Sequence, residues 1–311
     1  MSEKPCLLVT GAAGATAQQV INRLRHDYRL VVCDSRREVS MPLDIPSYHV
    51  DLNKRGIEDI FRKYRFDGVV HLGRMSPNEY TRLSRYNSNV LGTQRLFDLC
   101  VKYGVKQVLV MSTHFVYGAH PFNPAFLNES APLKAAELTM DLVDSVELEN
   151  LSMIYLWKYP ELNLTILRPC NIAGPGVNNT VSQLFMKDRV PVLMGFSPIM
   201  QFIHVEDMAD AIVLAYLKNK PGIYNVAPDD CVAYQKAVQL AGCKRFPIFS
   251  VPPALPGTIS RLLGWRHFPP YLINYFKFAA TIDGGLFRDT FGFEPRYSLG
   301  EIFAHYRLLK Q

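Results

Sequence analysis

Two glycines and a carboxylate define the first chemistry available to this chain. Gly11 and Gly14 lie in Thr10-Gly-Ala-Ala-Gly-Ala-Thr-Ala17, directly after the apolar run Cys6-Leu-Leu-Val9. Glycine lets the chain turn sharply and lets its backbone approach a ligand, and a helix that starts at such a turn aims its positive end at an anion. A pyrophosphate fits that arrangement. Asp34 ends the next apolar run, Leu30-Val-Val-Cys-Asp34, 23 residues beyond Gly11. A carboxylate at that spacing can hydrogen-bond a ribose 2′-hydroxyl, which makes NAD the expected cofactor. NADP is less favoured, although Arg36 and Arg37 could pair with a 2′-phosphate. Taken alone, the turn is also compatible with a tight loop, and Asp34 with a solvated strand end.

These groups need a scaffold, and the spacing of apolar residues describes one. A helix is expected over 18–30 with Val20, Ile21 and Leu24 on one face. Tyr48 to Leu52 follows, then a helix over 54–64, a strand over 68–73, a helix over 88–103 and a strand over 107–112. Unbroken apolar strands alternating with helices argue for an α/β fold, a Rossmann-type doubly wound parallel sheet. Residues 1–170 form the expected nucleotide-binding domain, with 200–220 returning to it, and 171–311 a smaller substrate-binding lobe.

Composition narrows the function class. The chain has 311 residues, 48% of them hydrophobic and 20% charged, and no apolar run approaching the length of a membrane span. With no leader-like start, the expectation is a soluble, cytoplasmic protein. Six scattered cysteines without a C-x-x-C pair suggest reduced core thiols and no metal site. The net charge of +6 is spread out, which argues against nucleic-acid binding.

The chain resembles the extended short-chain dehydrogenases/reductases of the NAD-dependent epimerase/dehydratase family, from residue 6 to about 300. Thr10–Ala17, Asp34, Asp51-Leu52, His71-Leu72-Gly73 and Asn89-Val-Leu-Gly-Thr93 carry the likeness first. Ser112-Thr-His-Phe-Val-Tyr-Gly118, Leu167-Arg-Pro-Cys-Asn-Ile-Ala-Gly-Pro175 and Phe202-Ile-His-Val-Glu-Asp-Met-Ala-Asp-Ala211 complete it. The resemblance implies that Gly11, Gly14 and Ala17 hold the pyrophosphate, that Asp51 and Leu52 frame the adenine, and that Leu72 and Gly73 line the cofactor near its centre. It also puts Ala13, Ala15, Asn89, Ser112 and Pro169 on the cofactor, and Arg74, Asn171 and His204 on the substrate. Thr113 falls at the family's catalytic Ser/Thr, where its hydroxyl would bond a substrate oxygen; it could equally satisfy a strand-end backbone group.

The family's proton-transfer pair is a tyrosine and a lysine four residues later on one helix face. Counting back from Arg168 by the family's interval puts them at Asp141 or Leu142 and at Ser145 or Val146. No tyrosine lies between Tyr117 and Tyr155, and the one lysine there is Lys134. Asp141 and Asp144 are the substitutes to test as acid or base; the competing expectation is that they are solvated charges, with Glu147 and Glu149, on an acidic helix. Tyr216 with Lys220 and Tyr306 with Lys310 have the pair's spacing but sit at a helix end and at the C-terminus, where fraying is expected.

In the substrate half, Met200-Gln201-Phe202 stands where nucleotide-sugar members often carry Arg-Asp-Phe. Arg189, Arg261 or Arg288 could supply charge instead. From Cys231 to Ile282 there is no acid, while Lys236, Lys244, Arg245, Arg261, Arg266 and Lys277 are interspersed with aromatics such as Phe246, Phe249, Trp265 and Phe268. An anionic or lipid-like substrate, peripheral contact with a membrane surface, a partner protein, or simply a core with a cationic rim would each account for this. The resemblance also implies a homodimer through helices near 89–103 and 136–158. The expected function is that of an NAD-dependent oxidoreductase acting on a hydroxyl-bearing small molecule, a nucleotide sugar or a lipid-like or anionic compound. The alternative is a cofactor-binding sensor or scaffold without turnover.

Overall fold

The computed structural model describes residues 4–36, 39–75, 80–249 and 270–310. Arg37, Arg261, Trp265, Arg266 and Phe268 lie outside the described residues. Seven parallel strands form the main sheet: β1 (Cys6–Thr10), β2 (Arg29–Asp34), β3 (Ser47–His49), β4 (Gly68–His71), β5 (Gln107–Met111), β6 (Leu164–Pro169) and β11 (Gly222–Val226). Their order is β11-β6-β5-β4-β1-β2-β3, so the winding reverses between β1 and β4. At such a switch point the loops leave the sheet in opposite directions and open a crevice at the carboxyl ends of the strands.

The unbroken apolar runs are explained by burial on both faces. Leu7 and Val9 of β1 join one core cluster with Val32, Val70 and Leu167, while Cys6 and Leu8 join the other with Val31, Val69 and Ile166. Successive side chains of a strand point to opposite faces, so a strand covered by helices on both sides needs apolar residues throughout.

Helix α1 (Ala15–Leu24) buries Ala17, Val20, Ile21 and Leu24. It starts earlier and ends earlier than the expected 18–30, because the turn at Gly14 leads straight into it and Arg29 already pairs in β2. Helix α2 (Gly56–Lys63) buries Ile57, Ile60 and Phe61, with acids in its first turn and bases in its last, as the helix dipole favours. The helix expected over 88–103 is two pieces, a π-helical stretch Tyr86–Leu91 and α4 (Gly92–Lys102), and a short α3 (Arg82–Arg85) precedes them. Helix α5 (Ala135–Leu138) and the long α6 (Val143–Lys158) follow β5.

The segment that returns to the main sheet is 205–226, shifted along the chain from 200–220. Helix α8 (Val205–Lys218) packs on α1, and β11 then pairs with β6 from Gly222↔Thr165 to Val226↔Pro169. The crossover helix and its strand return together, since a parallel partner is reached only through such a connection. The smaller unit is built on three two-stranded sheets. β7 (Asn171–Ala173) pairs with β10 (Phe202–His204), β8 (Arg189–Leu193) with β13 (Lys244–Ile248), and β9 (Ile199–Met200) with β12 (Val232–Ala233). Helices α7 (Thr180–Phe185) and α9 (Tyr234–Leu240) and two later helices, Gly285–Phe291 and Leu299–Leu308, cover them.

The C-terminal helix does not fray at Tyr306. That side chain is fully buried, and its hydroxyl accepts from Gly174 N (3.1 Å) and pairs with Ser182 Oγ (2.7 Å). Tyr216 is buried too, edge-on to Tyr28. Five of the six cysteines are buried free thiols and Cys231 is half-buried. Among the described residues no helix is long and apolar enough to cross a membrane, and no acid/His/Cys cluster could hold a metal. In the cation-rich stretch Phe276 belongs to the core, whereas Phe246 and Phe249 are exposed beside Lys244 and Arg245.

Candidate active site

A cleft of about 530 Å³ opens at the carboxyl ends of β1, β2, β4, β5 and β6. Gly11 forms its floor with φ +73°, and a Cβ there would lie 2.5 Å from the backbone of Gly73. The two loops touch backbone to backbone, which only glycine permits. Gly14 caps α1 without a side-chain bond, and the first turn of α1 contains no acid. The open amides at the positive end of that helix therefore face the cleft from Ala15, Thr16 and Ala17.

Asp34 is 2% exposed, at the end of β2. Its carboxylate accepts from Ala13 N (3.0 Å), from Arg36 N (2.8 Å) and from the Arg36 guanidinium (3.2 Å). Burial pushes its pKa up, but the Arg36 and Ala13 hydrogen bonds outweigh burial and hold it below the ordinary carboxylate value. The group is thus an anion fixed at the cleft wall. Arg36 answers the charge of Asp34 from beside the cleft. Val50 and Leu52 line the neighbouring wall; Asp51 instead turns its carboxylate to Asn53 N (3.0 Å).

Behind the floor runs a buried chain of hydrogen bonds. Thr93 Oγ1 donates to Asn89 O (2.6 Å), so it accepts from His71 Nε2 (2.9 Å), which leaves His71 Nδ1 to accept from Thr10 Oγ1 (2.6 Å). Burial pushes the His71 pKa down to about 4, and the ring is neutral. Asn89 does not line the cleft. Its amide clamps Met75, accepting from Met75 N (2.8 Å) and donating to Met75 O (3.1 Å), and also donates to Asp144 (2.6 Å). It thereby anchors the loop that carries Leu72, Gly73 and Arg74 along the cleft.

Ser112 and Thr113 follow β5. Ser112 is 5% exposed and its Oγ has no partner among the described residues, although it lines the cleft. An orphaned buried hydroxyl is costly, so a ligand group here would complete the site. Thr113 caps the short 3₁₀ turn His114–Tyr117, accepting from Phe115 N (3.3 Å), with its own proton free to donate into the cleft. Pro169 and Asn171 line the far wall, and Asn171 Nδ2 donates to Gln201 O (2.9 Å). His204 is placed elsewhere: it caps α8, accepting from Glu206 N (3.3 Å), and stacks on Tyr297 at 3.8 Å.

The two carboxylates considered for proton transfer are ion-paired away from the cleft. Asp141 accepts from Arg82 (2.8 Å) and Arg85 (3.4 Å). Burial raises its pKa less than the two arginines lower it, so it is held below the ordinary carboxylate value, the opposite of a raised general acid. Asp144 is buried at 5% against Arg85 (3.6 Å) and Asn89, and Glu149 at 0% against Arg168 (2.7 Å). The solvated acidic helix is therefore also not what forms, except at Glu147; the reason is that α6 turns these acids inward onto two buried arginines. Of the positions counted for the tyrosine, Leu142 lines the cleft, and of those for the lysine, Ser145 accepts a hydrogen bond from the Arg74 guanidinium.

His114, Cys170, Tyr80 and Ser88 also line the cleft and were not among the residues expected there. For His114 the signal was its place beside Thr113. Tyr80 and Ser88 flank α3, whose course the helical periodicity did not describe.

Similarity to known proteins agrees with this geometry. Residues 7–227 match the model of the NAD dependent epimerase/dehydratase family. The chain is 26% identical over 262 residues to the uncharacterized protein Rv0501 of Mycobacterium tuberculosis, covering 82% of this chain and 69% of that one. It is 28% identical over 251 residues to UDP-glucose 4-epimerase of Azospirillum brasilense, covering 70% of each. In fold it superposes on MoeE5 in complex with UDP-glucose and NAD with a TM-score of 0.77 and 22% identity over 98% of both chains. The matched region spans the whole of the glycine turn, Asp34 and the Thr113 segment, and the chain belongs to the NAD dependent epimerase/dehydratase family.

Proposed function

We propose that the chain binds NAD in this cleft and uses it to oxidise or reduce a hydroxyl-bearing carbon of a small molecule, with a nucleotide sugar as the first class to test. The observation that supports it most is the convergence on one crevice of the Gly11–Gly73 contact, the open α1 terminus, the fixed Asp34 anion and the orphaned Ser112 hydroxyl. Amides of α1 suit the pyrophosphate, and Asp34 a ribose hydroxyl. The bound nicotinamide supplies hydride chemistry. Thr113 holds the substrate oxygen by donating its hydroxyl proton, while Leu142, Met111 and Val181 keep that end of the cleft apolar. The A. brasilense relative and MoeE5 favour a sugar nucleotide by their names.

The test incubates the protein with NAD⁺ and UDP-glucose, dTDP-glucose or cholesterol and follows nicotinamide absorbance. Reduction of bound NAD⁺ by one of them, lost in Thr113→Val by a factor on the order of 10² while NAD affinity is kept, supports the reading. Tight NAD binding with no redox change for any of the three favours the second reading, a cofactor-binding protein without turnover, which Leu142 at a position counted for the tyrosine supports.

The protein is further proposed to be a homodimer. Helix α6 exposes Ile154 and Trp157 (78%) on one face, and Leu83, Tyr86 and Leu91 are exposed near α4. Large apolar side chains gathered on one exposed face mark a contact surface.

A further inference from the structure

His114 is a neutral imidazole held between two cavities. The residue lines the cofactor cleft and also an adjoining hollow of about 20 Å³ shared with Phe115, Asn171, Met200, Gln201, Leu272 and Phe276. It is 4% exposed and packs on Phe115 with centroids 4.2 Å apart, which fixes its plane. Nδ1 lies 3.0 Å from Pro169 O. A carbonyl only accepts, so Nδ1 carries the proton and Nε2 is a bare lone pair. Among the described residues the ring makes one hydrogen bond, that of Nδ1 to Pro169 O. Burial pushes the ring's pKa down to about 4, the Pro169 bond offsetting only part of that.

The other titratable groups of the cleft are poorly suited to accept a proton beside Thr113. Asp34 is engaged with Ala13 and Arg36 at the β2 end, burial pushes the Cys33 and Cys170 thiols up, and Arg36 and Arg74 are permanently charged. Tyr80 also lines the cleft.

We propose that His114 Nε2 takes the hydroxyl proton of the substrate while Thr113 holds the same oxygen, which makes His114 a catalytic residue of the reaction proposed above, on which this inference rests. The O–H bond breaks and its electron pair becomes the π bond of the carbonyl. The proton goes to Nε2 and gives an imidazolium; NAD⁺, held by the Gly11–Gly14 turn and Asp34, would accept the carbinol hydrogen and its electron pair as hydride. As hydride leaves, the hydroxyl becomes that of a protonated carbonyl, a strong acid, so a weak base is sufficient.

The test uses the whole chain labelled with ¹⁵N-histidine and loaded with NAD⁺, His114 being assigned by comparison with His114→Gln. NMR between about pH 6 and 8 is expected to show a protonated Nδ1 and a bare Nε2; a proton on Nε2 overturns the proposal. With whichever of UDP-glucose, dTDP-glucose and cholesterol reduces bound NAD⁺, His114→Gly is expected to lower the single-turnover rate by a factor on the order of 10²–10⁴ and to leave NAD⁺ affinity within about twofold. Added imidazole is expected to restore about tenfold of the loss, which a merely structural histidine would not show. Turnover that survives His114→Gly, or a loss that imidazole does not relieve while Tyr80→Phe is equally slow, overturns the assignment of the base alone. If none of the three compounds reduces bound NAD⁺, the oxidoreductase reading falls and the base with it.

Discussion

At the scale of single residues, the cofactor wall depends on one anion that two neighbours already hold. Asp34 keeps its charge because Ala13 N and Arg36 bond it, and a ribose diol would add to the same carboxylate. Replacing Asp34 by Ala removes charge-assisted bonds worth about 1.5–3 kcal/mol each, so the Kd for NAD should rise roughly 10- to 100-fold. The Kd for NADP should change less, because Arg36 lines the same cleft and its guanidinium suits a 2′-phosphate. Fluorescence titration with both cofactors measures this, and an equal loss for both would mean that Asp34 does not meet the ribose. Asp34 could be placed from its spacing to Gly11 alone. The ion pairs of Asp141 and Asp144 could not, because Arg82 and Arg85 lie some 60 residues earlier on a helix whose π-helical continuation breaks the periodicity that sequence patterns depend on.

At the scale of elements, the β1–α1 turn is locked by contact with the β4 loop. A Cβ on Gly11 meets Gly73 at 2.5 Å and the residue sits at positive φ, so Gly11→Ala must push the two loops apart. The expected outcome is loss of NAD binding together with a stability loss of roughly 1–3 kcal/mol, read by calorimetry and urea denaturation. A normal Kd with an unchanged midpoint would show that the loops separate at no cost. Helix α6 tells a similar story on its other side: its inward face is pinned by Glu149 to Arg168, which also bonds Tyr117 (2.7 Å), while its outward face bears Trp157. Trp157→Asp places a charge on that face and should convert the proposed dimer to a monomer in analytical ultracentrifugation at about 10 µM, without lowering monomer stability by more than about 0.5 kcal/mol. A parent protein that already sediments as a monomer at that concentration removes the dimer proposal.

At the scale of the whole molecule, two buried neutral histidines tie stability to pH. His71 and His114 each have a pKa pushed down to about 4 by burial, against 6.5 in an unfolded chain. Below about pH 6.5 the unfolded chain takes up protons that the folded chain refuses, so their contribution is full above 6.5 and is lost as pH falls toward 4. The loss amounts to about 3 kcal/mol per ring at most. Urea midpoints should therefore drop steeply between pH 6.5 and 4.5, and His71→Asn should flatten the slope by about half while lowering stability at pH 7. A midpoint constant over that interval would show that the rings are charged in the fold.

The sequence by itself determined the class of sheet, the glycine turn, Asp34 and the Thr113 segment, because each depends on local spacing: burial on both faces demands unbroken apolar strands, and the turn demands small residues at fixed offsets. Only the tertiary structure decided what lies across the cleft from them. It bonded Asn89 to Met75, set His204 as the cap of α8, turned Asp144 and Glu149 inward onto arginines distant in sequence, and buried Tyr306. It also set His114 between two cavities with its Nε2 bare, a placement fixed by the Pro169 carbonyl 55 residues away, which no local pattern could reveal.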